Sequence, residues 1–291
     1  MGDIMSKKEA VFILLGQSNA VGHNLPMKDE DIIKNPLKNV YGLHREKNQS
    51  FDSTELIWSG YTSFGMNLAE EQDNTSSVAN CLAKLWQNHI DSGNEYNLPN
   101  LYIVQIAIGA QGVTDGYMWN PTREKTLKAG KLGEVDISLY PLALHVLSLI
   151  DDSFKKLGKE YQIMNLYWRG GEEDASVSTS QLKQQLKGIY NQMLNGFYNA
   201  LGKVVPVTIS KLLNDDYLIK IDNSGEKCKS MHYINSVFNE LASENKNVSV
   251  FDCSNAPFYN QSLINKGLFI EDMVHYTPQT NMWVASQILK D

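Results

Sequence analysis

Short apolar runs alternate with longer amphipathic stretches along the 291 residues of the chain. Ala10–Leu15 (AVFILL) stops at Gly16, Leu101–Ala107 (LYIVQIA) stops shortly before Gly109, and Ile163–Trp168 (IMNLYW) stops before Gly170 and Gly171. Short, largely apolar runs closed by glycine read as strands, Ala10–Leu15 as a buried one. Val204–Ile209 (VVPVTI) and Val248–Phe251 (VSVF) have the same character, and Pro206 predicts an edge or bulged strand for the former.

Helical periodicity fills the gaps. Ser77–Ile90 places Val78, Leu82, Leu85, Trp86 and His89 three and four residues apart, behind Ser76 or Ser77 as candidate caps. Pro141–Leu157 is apolar along one face, and Leu182–Leu201 carries a stripe of Leu186, Ile189, Tyr190, Met193 and Phe197. His232–Leu241 and Thr280–Leu289 complete the set. The alternation predicts one α/β domain over residues 1–291, a three-layer α/β/α sandwich on a flavodoxin-like, mainly parallel sheet of about five strands. Residues 24–73 and 113–137 break the alternation; both are long, polar and placed after strand ends, where open α/β sheets build their ligand crevice.

Composition narrows the function classes. With 26 Lys and Arg against 33 Asp and Glu, the net charge of −7 leaves no electrostatic footprint for nucleic acid. No apolar run approaches the roughly 20 residues that span a bilayer, so no membrane role is expected. The start of the chain carries Lys7, Lys8 and Glu9 before a short apolar stretch, unlike a secretory leader. The expected location is the cytoplasm, with a phage-associated or exported location as the alternative. Cys81, Cys228 and Cys253 are far apart, without metal or disulfide spacing, and read as partly buried thiols. Neither HExxH nor any other metal-ligand spacing occurs, and no phosphate-binding glycine motif follows a strand, so no metal and no cofactor is expected.

Two segments carry candidate chemistry. After the first strand comes Gly16-Gln17-Ser18-Asn19-Ala20-Val21-Gly22, which puts a serine hydroxyl at a strand end opening onto a helix. A nucleophile sits well there, beside backbone N–H groups that can stabilise an oxyanion. Ala20 rules out the G-x-S-x-G elbow. The plainer reading is that Ser18 or Asn19 caps the following helix. Near the other terminus, Asp272-Met273-Val274-His275 places a carboxylate three residues before an imidazole, a spacing that can fix the tautomer and leave Nε2 to accept a proton. His44, His89, His145 and His232 have no acid at that spacing and read as surface or packing residues. His23 lacks one too, but its closeness to Ser18 keeps it as an alternative base.

GQSNAVG, Trp168-Arg169-Gly170-Gly171-Glu172-Glu173-Asp174 and the terminal D-x-x-H, in that order across nearly the whole chain, resemble the SGNH hydrolases. The similarity is to the sialate O-acetylesterase and acetylxylan esterase branch of carbohydrate esterases. That resemblance implies Ser18 as nucleophile, His275 as general base and Asp272 as its orienting acid. It implies oxyanion donors from Ser18 and from Gly112, which lies in the glycine block before Trp119. It also implies supporting roles for Gln17, Asn19, Glu172 and Asp174. Gly170 stands where the family has a glutamine that serves as third oxyanion donor; Arg169, a local shift or a backbone N–H at Gly170 or Gly171 replaces it, or the enzyme is weaker. Arg169 and Trp119 are candidate substrate contacts, and Trp58, Tyr61 and Tyr117 in the long loops could stack on a sugar.

The expected activity is removal of O-acetyl groups from a carbohydrate (sialic acid, xylan or a bacterial surface glycan) through an acyl-enzyme, with an acetylated carbohydrate as substrate and no nucleic-acid or membrane partner. The alternatives are a catalytically weak or inactive carbohydrate-binding protein on the same scaffold, and an SGNH lipase or thioesterase.

Overall fold

The computed structural model describes residues 8–23, 25–93, 97–128, 136–213, 225–259, 267–272 and 274–290. Nine strands are β1 (Glu9–Gly16), β2 (Val40–Leu43), β3 (Trp58–Gly60), β4 (Leu101–Ala107), β5 (Leu127–Lys128), β6 (Asp136–Ile137), β7 (Tyr161–Arg169), β8 (Val207–Ser210) and β9 (Val248–Phe251). The helices are α1 (Ser18–Val21), α2 (Arg45–Asn48), α3 (Val78–Asp91), α4 (Leu139–Ser148), α5 (Ile150–Leu157), α6 (Thr179–Leu201), α7 (Glu226–Glu244) and α8 (Pro278–Ile288).

The main sheet has seven strands in the order β3-β2-β4-β1-β7-β8-β9. All neighbours are parallel except the edge pair β2–β3. The five strands expected from apolar runs form its core in flavodoxin-like order. The two additions, β2 and β3, lie inside residues 24–73, the first long polar stretch. They are short, and Gly42 and Gly60 dilute their apolar signal. Likewise β5 and β6 pair as a two-residue ribbon at the end of the second long loop.

β1 shows why an unbroken apolar run is needed. Every one of its residues is buried, since Val11, Ile13 and Leu15 point to one core and Ala10, Phe12 and Leu14 to the other. The first core lies under α4, α5, α6 and α7; the second lies under α3 and α8. Helix starts follow local chemistry: Ser77, Ser178 and Thr277 each accept from the backbone N–H three residues on, at Asn80, Gln181 and Thr280. Pro278 occupies the first turn of α8, where its missing N–H costs nothing.

Two boundary expectations change. Pro141–Leu157 is two helices, with Leu149 as the joint between α4 and α5. β8 is neither an edge nor bulged: it starts at Val207, after Pro206, and lies between β7 and β9. The proline thus needs no N–H of its own, while its carbonyl accepts from Leu166 N at 2.9 Å. Among the described residues, no helix is long and apolar enough to cross a membrane.

The end of β1 tolerates no side chain. Gly16 has φ +149°, and a Cβ there would sit 1.9 Å from the Arg169 carbonyl oxygen of β7. Gly16→Ala is therefore expected to lower stability by about 3 kcal/mol or more, or to prevent folding. Gly188→Ala, in α6 with open space around its α-carbon, is expected to stabilise by about 0.5–1 kcal/mol. Chemical denaturation of both variants checks the pair.

Candidate active site

β1 is flanked by β4 on one side and β7 on the other, so the chain leaves the sheet in opposite directions on either side of its carboxyl end. A crevice opens at such a switch point. Gln17 closes the strand by donating its N–H to the Arg169 carbonyl at 3.0 Å, and its own carbonyl accepts from Ala20 N and Val21 N. Ser18 is thus the first residue of the one-turn helix α1 and is largely buried. The cap position belongs to Gln17, with no side-chain bond. Capping therefore does not account for Ser18 or Asn19.

Asn19 is used elsewhere. Its amide nitrogen donates to the Val274 carbonyl at 3.1 Å and to Glu172 Oε1 at 2.8 Å, and its amide oxygen accepts from Tyr276 N at 3.1 Å. Both neighbours of His275 are therefore bonded to the residue that follows Ser18. Within the terminal loop, Asp272 Oδ2 lies 2.6 Å from His275 Nδ1, and Oδ1 accepts from the N–H groups of Val274 and His275, each at 2.9 Å. Burial pulls the Asp272 carboxyl upward, but those N–H groups and the imidazole outweigh it and hold it below the ordinary carboxylate range. An ionised Asp272 fixes the Nδ1–H tautomer of His275 and leaves Nε2 to accept a proton.

The third part is the loop after β4. Asp174, wholly buried, accepts from Val113 N, Thr114 N and the Thr114 hydroxyl, at 2.8–3.1 Å. A Cβ on Gly112 would fall 2.4 Å from Asp174 Oδ1, so only glycine lets the carboxylate reach the two N–H groups beyond it. Burial pushes the Asp174 carboxyl up to about 6 in spite of the Thr114 and Val113 donors. Ala110, in the same loop, holds φ +55°, a left-handed conformation that costs a non-glycine residue about 1 kcal/mol or more. Ser18, the Asp272–His275 pair, Gly112, Asn19, Glu172 and Asp174 are thus linked in one constellation at the strand ends.

Other expected contacts fall elsewhere. Trp119 is fully buried; its Nε1–H donates to the Gly16 carbonyl at 2.9 Å, and its ring packs edge-on against Trp168 at 5.0 Å. It supports the end of β1 and has no surface to offer a sugar. Arg169 is also buried, on the face that Tyr167 shares with α3 and α8. Its Nη1 donates to Asn281 Oδ1 at 2.8 Å and its guanidinium lies 4.2 Å from the Tyr276 ring centre. Strand alternation turns it beneath the crevice, so it is neither a substrate contact nor a substitute for the family glutamine. Tyr61 is buried in the second core, and Trp58 packs on Tyr102 and Phe154 and donates to Ser153. Tyr117 alone of these aromatics keeps a half-exposed position near the site; its hydroxyl is raised by burial and by the charges of Glu173 and Asp174.

The sequence reading missed Glu70. His23, which lacks an acid at short spacing, has one 47 residues away: Nε2 lies 2.8 Å from Glu70 Oε1. Glu70 Oε2 accepts from Gly109 N at 2.9 Å. A lone glutamate in a polar stretch gives no periodic or motif signal, and only the chain's return past β4 brings it here.

No protein-family model matches the chain, and no curated protein matches it in sequence. Solved structures do match in fold. NanS superposes with a TM-score of 0.61 at 15% identity, over 99% of this chain and 98% of that one. A protein from Arabidopsis thaliana superposes with a TM-score of 0.58 at 14% identity, over 98% of this chain and 99% of that one. The three-layer α/β/α architecture is shared end to end with both.

Proposed function

We propose that the protein is a serine esterase that removes O-acetyl groups from a carbohydrate through an acyl-enzyme. The observation that carries this reading is the Asp272–His275 pair, clasped by Asn19 to the turn that presents Ser18. Ser18 Oγ attacks the acetyl carbonyl as His275 takes its proton; the sugar alcohol leaves with that proton, and water activated by His275 releases acetate. The backbone N–H groups of Ser18 and Gly112 stabilise the tetrahedral oxyanion. The choice of acetyl and sugar rests on the resemblance of GQSNAVG and D-x-x-H to the carbohydrate esterase branch, and full-length likeness in fold to NanS is consistent with it. Tyr117 is the aromatic left to meet a sugar ring.

A second reading, a carbohydrate-binding protein with weak or no catalysis, is favoured by Gly170 alone. Its φ lies outside the left-handed region, which Gly171 at φ +128° occupies instead. A Cβ at Gly170 would meet Trp168 Cζ2 at 3.3 Å and Gln17 Cγ at 3.5 Å, a contact that a small shift relieves. The turn therefore does not require glycine at 170.

Hydrolysis of an aryl acetate, together with acetate release from acetylated sialic acid, xylan and bacterial glycans, tests the two readings. Ser18→Ala is expected to lower kcat by about a thousandfold or more with an unchanged melting temperature. A folded wild type with no turnover on any of these esters favours the binding protein.

Asp272→Asn is expected to cost a similar factor in kcat, because the amide no longer enforces the productive tautomer. Its effect on stability depends on pH. A carboxyl held low in the folded state stabilises fully above its unfolded value of about 3.9 and loses that contribution as pH falls through the lowered folded value. The Tm advantage of wild type over Asp272→Asn, present at neutral pH, should therefore shrink below about pH 4.

Gly170→Gln is expected to fold and to raise kcat on a small acetyl ester about tenfold or more, with KM nearly unchanged. An amide donor aimed at the oxyanion acts on charge that exists only in the transition state. A lower kcat at unchanged Tm would mean that another donor already fills that place.

A further inference from the structure

Beside the proposed triad stands a second acid–imidazole pair. His23 N donates to the Ser18 carbonyl at 3.0 Å, which fixes the turn directly after the nucleophile. Its ring packs edge-to-face on His275, with centres 5.7 Å apart and planes at 79°. Behind it, Glu70 is almost wholly buried; its carboxylate takes His23 Nε2 and the Gly109 N–H, and its carbonyl takes Arg45 Nη1 at 2.7 Å. The space for the ring is built in, since a Cβ on Gly109 would lie 2.4 Å from His23 Cε1 and 2.8 Å from Nδ1. His23 thus has one nitrogen on Glu70 and its other ring edge pressed on Gly109, an orientation unsuited to taking a proton from Ser18.

Resting on the serine-esterase reading, the geometry points to Glu70 and His23 as positioning residues that stabilise the imidazolium formed at His275 during catalysis. With Nε2 on Glu70, the His23 ring stands between a buried carboxylate and the His275 ring. When His275 takes the Ser18 proton, the adjacent ring and the carboxylate behind it favour the new positive charge, as Asp272 does from the other nitrogen. The remaining groups around His275 are Asp272 on its own loop, Ser18 and Asn19 on α1, Glu172 through Asn19, and Arg169 beneath the Tyr276 ring.

The test uses the full chain with an aryl acetate, comparing Glu70→Gln, His23→Gln, His275→Gln and Ser18→Ala with wild type. His23→Gln keeps an amide donor for Glu70 but loses the ring; Glu70→Gln keeps an acceptor but loses the charge. Both are expected to lower kcat about tenfold with KM within about twofold. Glu70→Gln should also move the rising limb of the kcat–pH profile to lower pH by roughly half a unit, since removing a negative charge disfavours the protonated base. Melting temperatures separate folding losses from these effects, and His23→Gln, at a partly exposed position, covers the case in which Glu70→Gln fails to fold. Unchanged kcat and an unmoved limb, with Ser18→Ala inactive, would overturn the proposal and leave the esterase reading in place. So would kcat, KM and Tm changing together without a limb shift, which is the pattern of a structural prop. An inactive His23→Gln beside an active His275→Gln would overturn it by making His23 the base. Full activity in Ser18→Ala would instead overturn the esterase reading itself.

Discussion

The side-chain amide of Asn19 is the contact on which the site depends. One residue after Ser18, it bonds to the carbonyl before His275, to the N–H after it, and to Glu172 beyond β7. Segments more than 250 residues apart in sequence are thereby held to one turn. Loops are otherwise the least restrained part of an α/β domain, and a nucleophile and base on separate loops need their separation held to a fraction of an ångström. The amide does this with both its donor and its acceptor, a combination that neither a carboxylate nor an aliphatic side chain can reproduce.

Rigid elements carry the remainder. β1 lies in the middle of a parallel sheet with both faces covered, so its carboxyl end is among the most restrained points in the molecule. Trp119 and Trp168 pack edge-to-face beneath that end, and the Trp119 indole donates to the Gly16 carbonyl. Asp174 then ties the loop after β4 to the turn after β7 through three donors. Its elevated carboxyl reflects what that arrangement costs, since a buried carboxylate is tolerated here for the loop geometry it enforces.

Much of this was legible in the sequence, for identifiable reasons. The five core strands announce themselves because their β-branched and aromatic residues come in short, largely apolar runs, unbroken in β1 where both faces are buried, and D-x-x-H because its acid and base are neighbours in the chain. The short strands β2 and β3 do not: at four and three residues, each with a glycine, their pattern sinks into the surrounding polar loop. Trp119 and Arg169 misled for the opposite reason. An aromatic in a polar loop and a cation at a strand end read as solvent-facing, yet the alternation of side chains along β7 turns Arg169 inward, onto Asn281 and Tyr276. Glu70 was invisible because its partner His23 belongs to another segment, and no local spacing encodes a pairing across a sheet.

Glycine at the strand ends distinguishes necessity from vacancy. At Gly16 and Gly112 the space of a Cβ is already taken, by the Arg169 carbonyl and by the Asp174 carboxylate, so the backbone comes closer there than any other residue allows. Those glycines are consequences of the site's geometry. Gly170 is different: its nearest neighbours stand at or near ordinary contact distance, and its φ lies outside the left-handed region. Packing therefore does not account for the loss of a side chain at 170, although the same turn holds Gly171 in a conformation that glycine prefers. Arg169 points away from the crevice, its Nη1 on Asn281 and its guanidinium over the Tyr276 ring. On the proposed esterase reading, stabilising the oxyanion then falls to the backbone N–H groups of the Ser18 and Gly112 segments, and those are the segments that Asn19 and Asp174 hold in place.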